Sequence, residues 1–272
     1  MENTTDLDTF HCGPRQYPDA VIGRIESAGA RGKKRLTLTG TGSVRAPRAS
    51  LQTAWDKYTD NIIHVTIGEG LSELESDVFA GLRNVRSVYF PRTLKAIYSG
   101  AFSECGKLEQ AELPDALRYI GPGAFQGCIS LAEATFGSSL KNIQVGAFRG
   151  CKSLNRLTFP SSVTEIGEHA FADTGVERIV LPDSLENLPK GCFSHCEKLQ
   201  EVTAGKGLSV MSDRSFNGCT ALEKLDFRPA KVLYHIHDLA FLDCSQVKAV
   251  LCREDQAALL RKHFRPEILV IS

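Results

Sequence analysis

The sequence predicts an α/β-type solenoid of about eight coils, and three observations carry that prediction. Phenylalanine returns at positions 79, 102, 125, 148, 171, 193, 216 and 241, at spacings of 23, 23, 23, 23, 22, 23 and 25 residues. A common frame surrounds each one, and in the copy over residues 147–160 it reads AFRGCKSLNRLTFP. Within the frame, apolar residues two apart mark a strand, and Pro or Gly follows it. Self-similarity at a period in the twenties is the signature of stacked coils, each one supersecondary unit that cannot bury its apolar side alone.

The elements follow in order. Residues 1–32 are polar and without evident periodicity, which predicts a flexible N-terminal arm. Residues 33–61 are expected to cap the first coil. They contain LTLTG, alternating like a strand, then Trp55 and Tyr58 in a short segment, and they resemble none of the repeats. The solenoid is expected over residues 62–250, opening with the strand IIHVTI. In each later copy a Leu or Val stands five or six residues after the Phe. Two inward residues then lie on one face of a strand, as in Val88 and Phe90, or Leu157 and Phe159. Pro91, Pro114, Pro160 and Pro182, or Gly137 and Gly205, end those strands. Leu94, Leu117, Leu140, Val163, Leu185 and Leu208 turn inward again, followed by Ile97, Ile120, Ile143 and Ile166. Residues 100–105 and their equivalents are expected to carry the Phe in a short helical turn. After Cys244 the frame dissolves. Residues 251–272 are expected to close the far end, with an amphipathic helix over 252–264 and a strand over 267–272.

Composition narrows the function. Lys plus Arg and Asp plus Glu number 32 each, for a formal charge of zero. Nucleic-acid binding draws on a surplus of basic residues, and so does docking on an anionic membrane. No apolar run approaches the roughly 20 residues a membrane-spanning helix needs. The first twenty residues are acidic and polar, with no basic start followed by an apolar stretch, so an intracellular, cytoplasmic location is expected. Six of the nine cysteines, at 105, 128, 151, 196, 219 and 244, stand three residues after a repeat Phe. That fixed phase predicts small, buried, reduced core side chains.

The pattern AFxxCxxLxxLxFPxxVxxIGxxAF resembles the BspA-like, or Treponema-pallidum-type, leucine-rich repeat. It is carried by Ala124-Phe125, Cys128, Leu131 and Phe136, then by Ala147-Phe148, Cys151, Leu154, Leu157, Phe159-Pro160, Val163 and Ile166-Gly167. The resemblance implies a curved right-handed solenoid with a parallel sheet on its concave face. It also implies a protein-binding role. Members are mostly bacterial surface adhesins and surface or cytoplasmic proteins of protozoa, so a cell-surface or secreted adhesin is the alternative to an intracellular scaffold or assembly subunit.

The concave face follows from the pleat. One outward row reads His64, Ser87, Gln110, Glu133, Arg156, Arg178, Glu201 and Lys224. The next reads Thr66, Tyr89, Glu112, Thr135, Thr158, Val180, Thr203 and Asp226. From these rows, Tyr89, Gln110, Glu112, Glu133, Arg156, Thr158, Arg178, Glu201, Lys224 and Asp226 are the candidate partner-binding residues. The mixed signs suit a protein partner of complementary charge. Glu112 and Glu133 fall on neighbouring coils, where their carboxylates are expected to lie close, and Arg156 and Arg178 are expected on adjacent strands. No phosphate loop, nucleophile signature or zincin motif is present, so neither catalysis nor a cofactor is expected. GCFSHC brings Cys192, His195 and Cys196 close in sequence, but Cys196 keeps the core phase. His235 and His237 have no third ligand in phase, so no metal is expected.

Overall fold

The computed structural model describes residues 8–29, 32–45, 48–49, 52–53 and 55–272. The first seven residues of the expected arm, and residues 30–31 near its end, lie outside that set. The chain is a leucine-rich-repeat solenoid whose coils are joined by three ladders.

The first ladder is the main sheet. Its parallel strands include Lys34–Gly40, Ile62–Ile67, Ser87–Tyr89, Gln110–Glu112, Glu133–Thr135, Arg178–Val180, Glu201–Thr203, Lys224–Asp226, Ala249–Cys252 and Leu269–Ile271. Where three residues pair, the middle one points inward: Ala111, Ala134, Ile179, Val202 and Leu225 are all buried. The second ladder pairs residues further along each coil, including Leu71–Leu74, Ala96–Ile97, Tyr119–Ile120, Asn142–Ile143 and Glu165–Ile166. The apolar Ile97, Ile120 and Ile143 are sealed inside it.

The third ladder runs through the phenylalanines. The Phe79 N–H donates to the Ala101 carbonyl at 2.8 Å, Phe102 to Ala124 at 2.7 Å, and Phe148 to Ala170 at 2.8 Å. From Phe79 to Phe216 each Phe N–H crosses to the next coil, while the donors between close i→i−3 turns within the coil, as Ala101 to Tyr98 and Ser103 to Gly100, so the expected helical turn is a run of such turns and not a continuous helix. A helix would spend the Phe donors within its own coil as well. Their rings stack in one column, with neighbouring centroids 5.1 to 5.6 Å apart from Phe79 to Phe241.

Both ends close on that column. At the N-terminal side Trp55 stacks on Phe79 at 5.8 Å and Phe10 meets Trp55 edge-on at 6.5 Å. Phe10 belongs to the strand Asp8–His11, which pairs antiparallel with Val21–Ser27, and that strand pairs with Lys34–Gly40. The expected flexible arm is therefore, from Asp8 onward, a hairpin that extends the main sheet. Its signal was the alternation Val21, Gly23, Ile25, whose residues are buried while Arg24 and Glu26 face out. The described residues of the segment 33–61 follow the places of a coil despite their divergent sequence. Leu36 and Leu38 pair with Val65 and Ile67, Val44 pairs with Leu74, and Trp55 occupies the phenylalanine place.

At the C-terminal side the helix is shorter than expected, Glu254–Leu260, and the strand is Leu269–Ile271. Leu260 is buried, and Phe264 meets Phe241 at 5.1 Å. Gln256 is buried and donates to the Phe227 and Ala230 carbonyls, both at 2.8 Å, satisfying groups the last coil leaves open.

Candidate interaction surface

The main sheet fixes where each candidate residue stands. Gln110 pairs with Glu133 and Glu112 with Thr135. Glu133 continues through one isolated bridge to Arg156. Arg178, Glu201 and Lys224 form one row, and Val180, Thr203 and Asp226 the next. Gln110, Glu112, Glu133, Arg156, Thr158, Arg178 and Lys224 are exposed, and Glu201 and Asp226 half-buried. Tyr89 is 53% exposed and its hydroxyl donates to Glu69 at 3.2 Å. Asp226 accepts two bonds from the Arg228 guanidinium, at 3.0 and 2.7 Å. That hydrogen bonding holds its carboxyl below the usual range.

The register bears on both expected proximities. Glu112 and Glu133 stand in different rows, because the register sets Glu112 opposite Thr135. Arg156 and Arg178 are not paired neighbours. Among the described residues no strand pairing and no backbone hydrogen bond joins residues 155–159 to residues 177–181. Arg178 leans the other way, 4.0 Å from Glu201.

The interruption has a local cause. The copy from Phe171 to Phe193 is one residue short, and Val176 arrives one place early. Thr174 takes the cysteine place, and Gly175 is drawn so close to the preceding coil that a Cβ there would lie 2.3 Å from the Lys152 carbonyl oxygen. The second ladder breaks at the same junction. Gly121, Gln144 and Gly167 donate to the carbonyls of Ile97, Ile120 and Ile143, at 2.7, 2.9 and 2.7 Å. The equivalent place opposite Ile166 is Pro189, which has no N–H. Only the aromatic ladder crosses intact: Phe148 and Phe171 stack at 5.4 Å, tilted by 3°. A cleft of about 370 Å³ opens beside the break, lined by Leu157, Thr158, Phe159, Arg178, Val180 and neighbouring residues. A second, of about 290 Å³, lies between residues 133–136 and 156–160.

The cysteine column adds a role that phase alone did not reveal. Each thiol donates to the carbonyl of the Phe in the preceding coil: Cys105 to Phe79 at 3.3 Å, Cys128 to Phe102 and Cys151 to Phe125 at 3.2 Å. Cys196, Cys219 and Cys244 repeat the pattern. Serine would suit the bond and valine the burial; a thiol serves both. Burial pushes Cys196 up to about 11, and Cys105 and Cys192 also upward. The GCFSHC residues divide. Cys192 and Cys196 are buried, while His195 holds a left-handed backbone (φ 58°) with its ring over Gly218. His235 is exposed, and His237 lies 3.7 Å from Asp213.

These ladders and their outward rows define a leucine-rich-repeat scaffold. The model of the family described as BspA type Leucine rich repeat region matches residues 53–177 and 164–264, in six copies, and the chain belongs to that family. Among curated proteins, none matches. Solved structures of similar fold include the pneumococcal vaccine antigen PcpA, at 16% identity and a TM-score of 0.48, covering 86% of this chain and 80% of that one. The leucine-rich repeat protein of T. pallidum matches at 21% identity and 0.45, covering 77% and 90%. A leucine-rich cell surface protein of Faecalibacterium prausnitzii matches at 17% and 0.39, covering 85% and 87%. Leucine-rich repeats are typical protein-interaction modules, and no helix among the described residues is long and apolar enough to cross a membrane.

Proposed function

We propose that this protein is a non-enzymatic interaction module, a scaffold or assembly subunit that holds a protein partner on its main sheet. The observation that carries this reading is the outward row Gln110, Glu133, Arg156 and, beyond the interruption, Arg178, Glu201, Lys224, whose charges stand at places fixed by the pairing on each side. Such a row supplies complementarity and register to a partner surface, and it acts on association rate and specificity. The partner segment facing Arg156 and Arg178 is acidic in this reading. We place the protein inside the cell, in a reducing compartment, because six column thiols serve as donors and so work in their reduced form. Cell fractionation tests that location.

The binding test is the double change Arg156→Glu with Arg178→Glu. Both side chains are exposed, so folding should stay within about 0.5 kcal/mol of wild type. Capture of the partner should weaken, most strongly at low salt, where charges are least screened. A folded variant that keeps every partner at equal affinity would place binding at the ends of the solenoid.

A further inference from the structure

Three cations stand in register on consecutive coils beside the second ladder. The Lys95 N–H donates to the Ser72 carbonyl at 2.7 Å, Arg118 to Lys95 at 2.9 Å, Lys141 to Arg118 at 3.1 Å, and Thr164 to Lys141 at 3.0 Å. These bonds fix one row, just ahead of the paired residues Ala96–Ile97, Tyr119–Ile120 and Asn142–Ile143. Lys95, Arg118 and Lys141 are all exposed. Neighbouring strands lie about 4.8 Å apart, so the three charges span about 10 Å. Like charges set opposite one another on adjacent strands repel.

The molecule does not neutralise them. Elsewhere a cation commonly meets a carboxylate one coil away, as Arg86 meets Glu109, Arg149 meets Asp173, Lys206 meets Asp183 and Lys248 meets Glu223. Among the described residues, no ion pair and no side-chain hydrogen bond engages Lys95, Arg118 or Lys141. The carboxylates of the flanking rows have other partners. Glu73 accepts from the Ser43 hydroxyl at 3.0 Å, and Glu75 lies 3.8 Å from Arg45. Asp115 accepts from the Ser138 N–H at 2.9 Å, and Glu165 accepts from the side-chain amides of Asn142 and Gln144. Alongside, half-buried Tyr98 and Tyr119 hold their rings 5.8 Å apart, and among the described residues their hydroxyls have no hydrogen-bond partner.

We propose that this row is a second docking surface, apart from the main sheet, and that it takes an extended acidic segment of a protein partner laid along the stack, its carboxylates on Lys95, Arg118 and Lys141. Three rises of extended chain cover about the same 10 Å, so a short run of Asp or Glu meets all three cations. A polypeptide suits the surface better than a nucleic acid. Basic and acidic residues number 32 each over the chain, so a long phosphate backbone running past the row meets no further basic surplus. The proposal goes beyond the main-sheet reading above, and either can fail without the other.

The experiment titrates the full chain with fluorescein-labelled hexaglutamate at low ionic strength, followed by anisotropy, with hexaglutamine and hexauridylate as comparison probes. Hexaglutamate should bind and hexaglutamine should not. The triple variant Lys95→Gln, Arg118→Gln, Lys141→Gln, shown folded by circular dichroism, should bind about tenfold more weakly, because exposed ion pairs are individually weak and three together amount to about that change. If the triple variant does not fold, Arg118→Gln alone carries the test, with a loss of about twofold. The pair Arg156→Gln, Arg178→Gln should bind as wild type does. Absence of binding at millimolar hexaglutamate overturns the proposal, as does unchanged affinity in the folded row variant. Loss of binding in the Arg156→Gln, Arg178→Gln pair alone also overturns it, and moves acidic recognition to the main sheet. Hexauridylate binding as tightly as hexaglutamate overturns the choice of a protein partner.

Discussion

Phe148 shows how little room a single residue has in this stack. Its ring is fully buried between Phe125 at 5.1 Å and Phe171 at 5.4 Å, with Phe136 edge-on at 5.6 Å. Phe148→Ala should cost about 3–5 kcal/mol, the lost burial plus the cavity that rigid neighbours cannot fill. Chemical denaturation measures it, and an unchanged midpoint would contradict the stacking. The thiols give a second residue-scale prediction, one with a sign. Burial raises Cys196 from 9.0 to about 11. A group whose folded pKa lies above its unfolded one stabilises fully below the unfolded value and loses that contribution as pH rises through the folded one. The Cys196 contribution to stability should therefore be level below about pH 9 and be lost between about 9 and 11. Urea midpoints across that range check it. The buried column thiols Cys105, Cys128, Cys151, Cys196 and Cys219 should also react slowly with thiol reagents at neutral pH, and native disulfides among Cys105, Cys128 and Cys151 would overturn that expectation. The periodic Phe, Cys and Leu residues made this inner lattice legible in the sequence. Left-handed positions were not legible. Asp77, Glu104, His169 and His195 hold φ between 54° and 59°, each with its side chain over the glycine of the next coil: Gly100, Gly127, Gly191 and Gly218. That glycine tolerates the conformation and leaves space for the overlying side chain. The rule couples residues 22 or 23 apart, a distance at which local sequence patterns carry no signal.

At the scale of elements, strands were easier to foresee than their pairing. Alternation placed Gln110–Glu112 and Arg178–Val180 correctly, because it depends on the residues of one coil. Whether two coils pair depends on the length between them, and there a single missing residue and Pro189 acted together. The helical turn does not extend into a helix for a related reason: alternate donors around the Phe are claimed by the adjacent coil, which propensity within one coil does not register. Pro189 offers a direct test. In Pro189→Ala the restored N–H should donate to Ile166, as Gly167 donates to Ile143 at 2.7 Å. Amide exchange at Asn187 should slow as the second ladder closes, while Leu188, which already serves the following coil through Ser212, should be unchanged. Unaltered exchange would mean that the shortened copy alone holds the ladder open.

For the whole molecule, a stack of coils is stable as a sum of coil terms and of contacts between neighbours only. The junction before Phe171 has lost two of its three ladders, so one neighbour term is far weaker than the rest. Such a chain ceases to melt as a unit. It is expected to unfold as two cooperative blocks in series, each with its own midpoint, joined by the column of rings, the Ser184 hydroxyl bonds and the apolar core between them. Trp55 is the lone tryptophan and sits in the first block, so its fluorescence follows that block, while far-ultraviolet circular dichroism follows both. The two denaturation curves should separate, and coincident curves would mean that these remaining contacts couple the halves. Partial unfolding would then be available under conditions in which half of the protein stays intact. A molecule built from near-identical coils would in this way carry an internal boundary, set by the absence of one residue and one amide hydrogen.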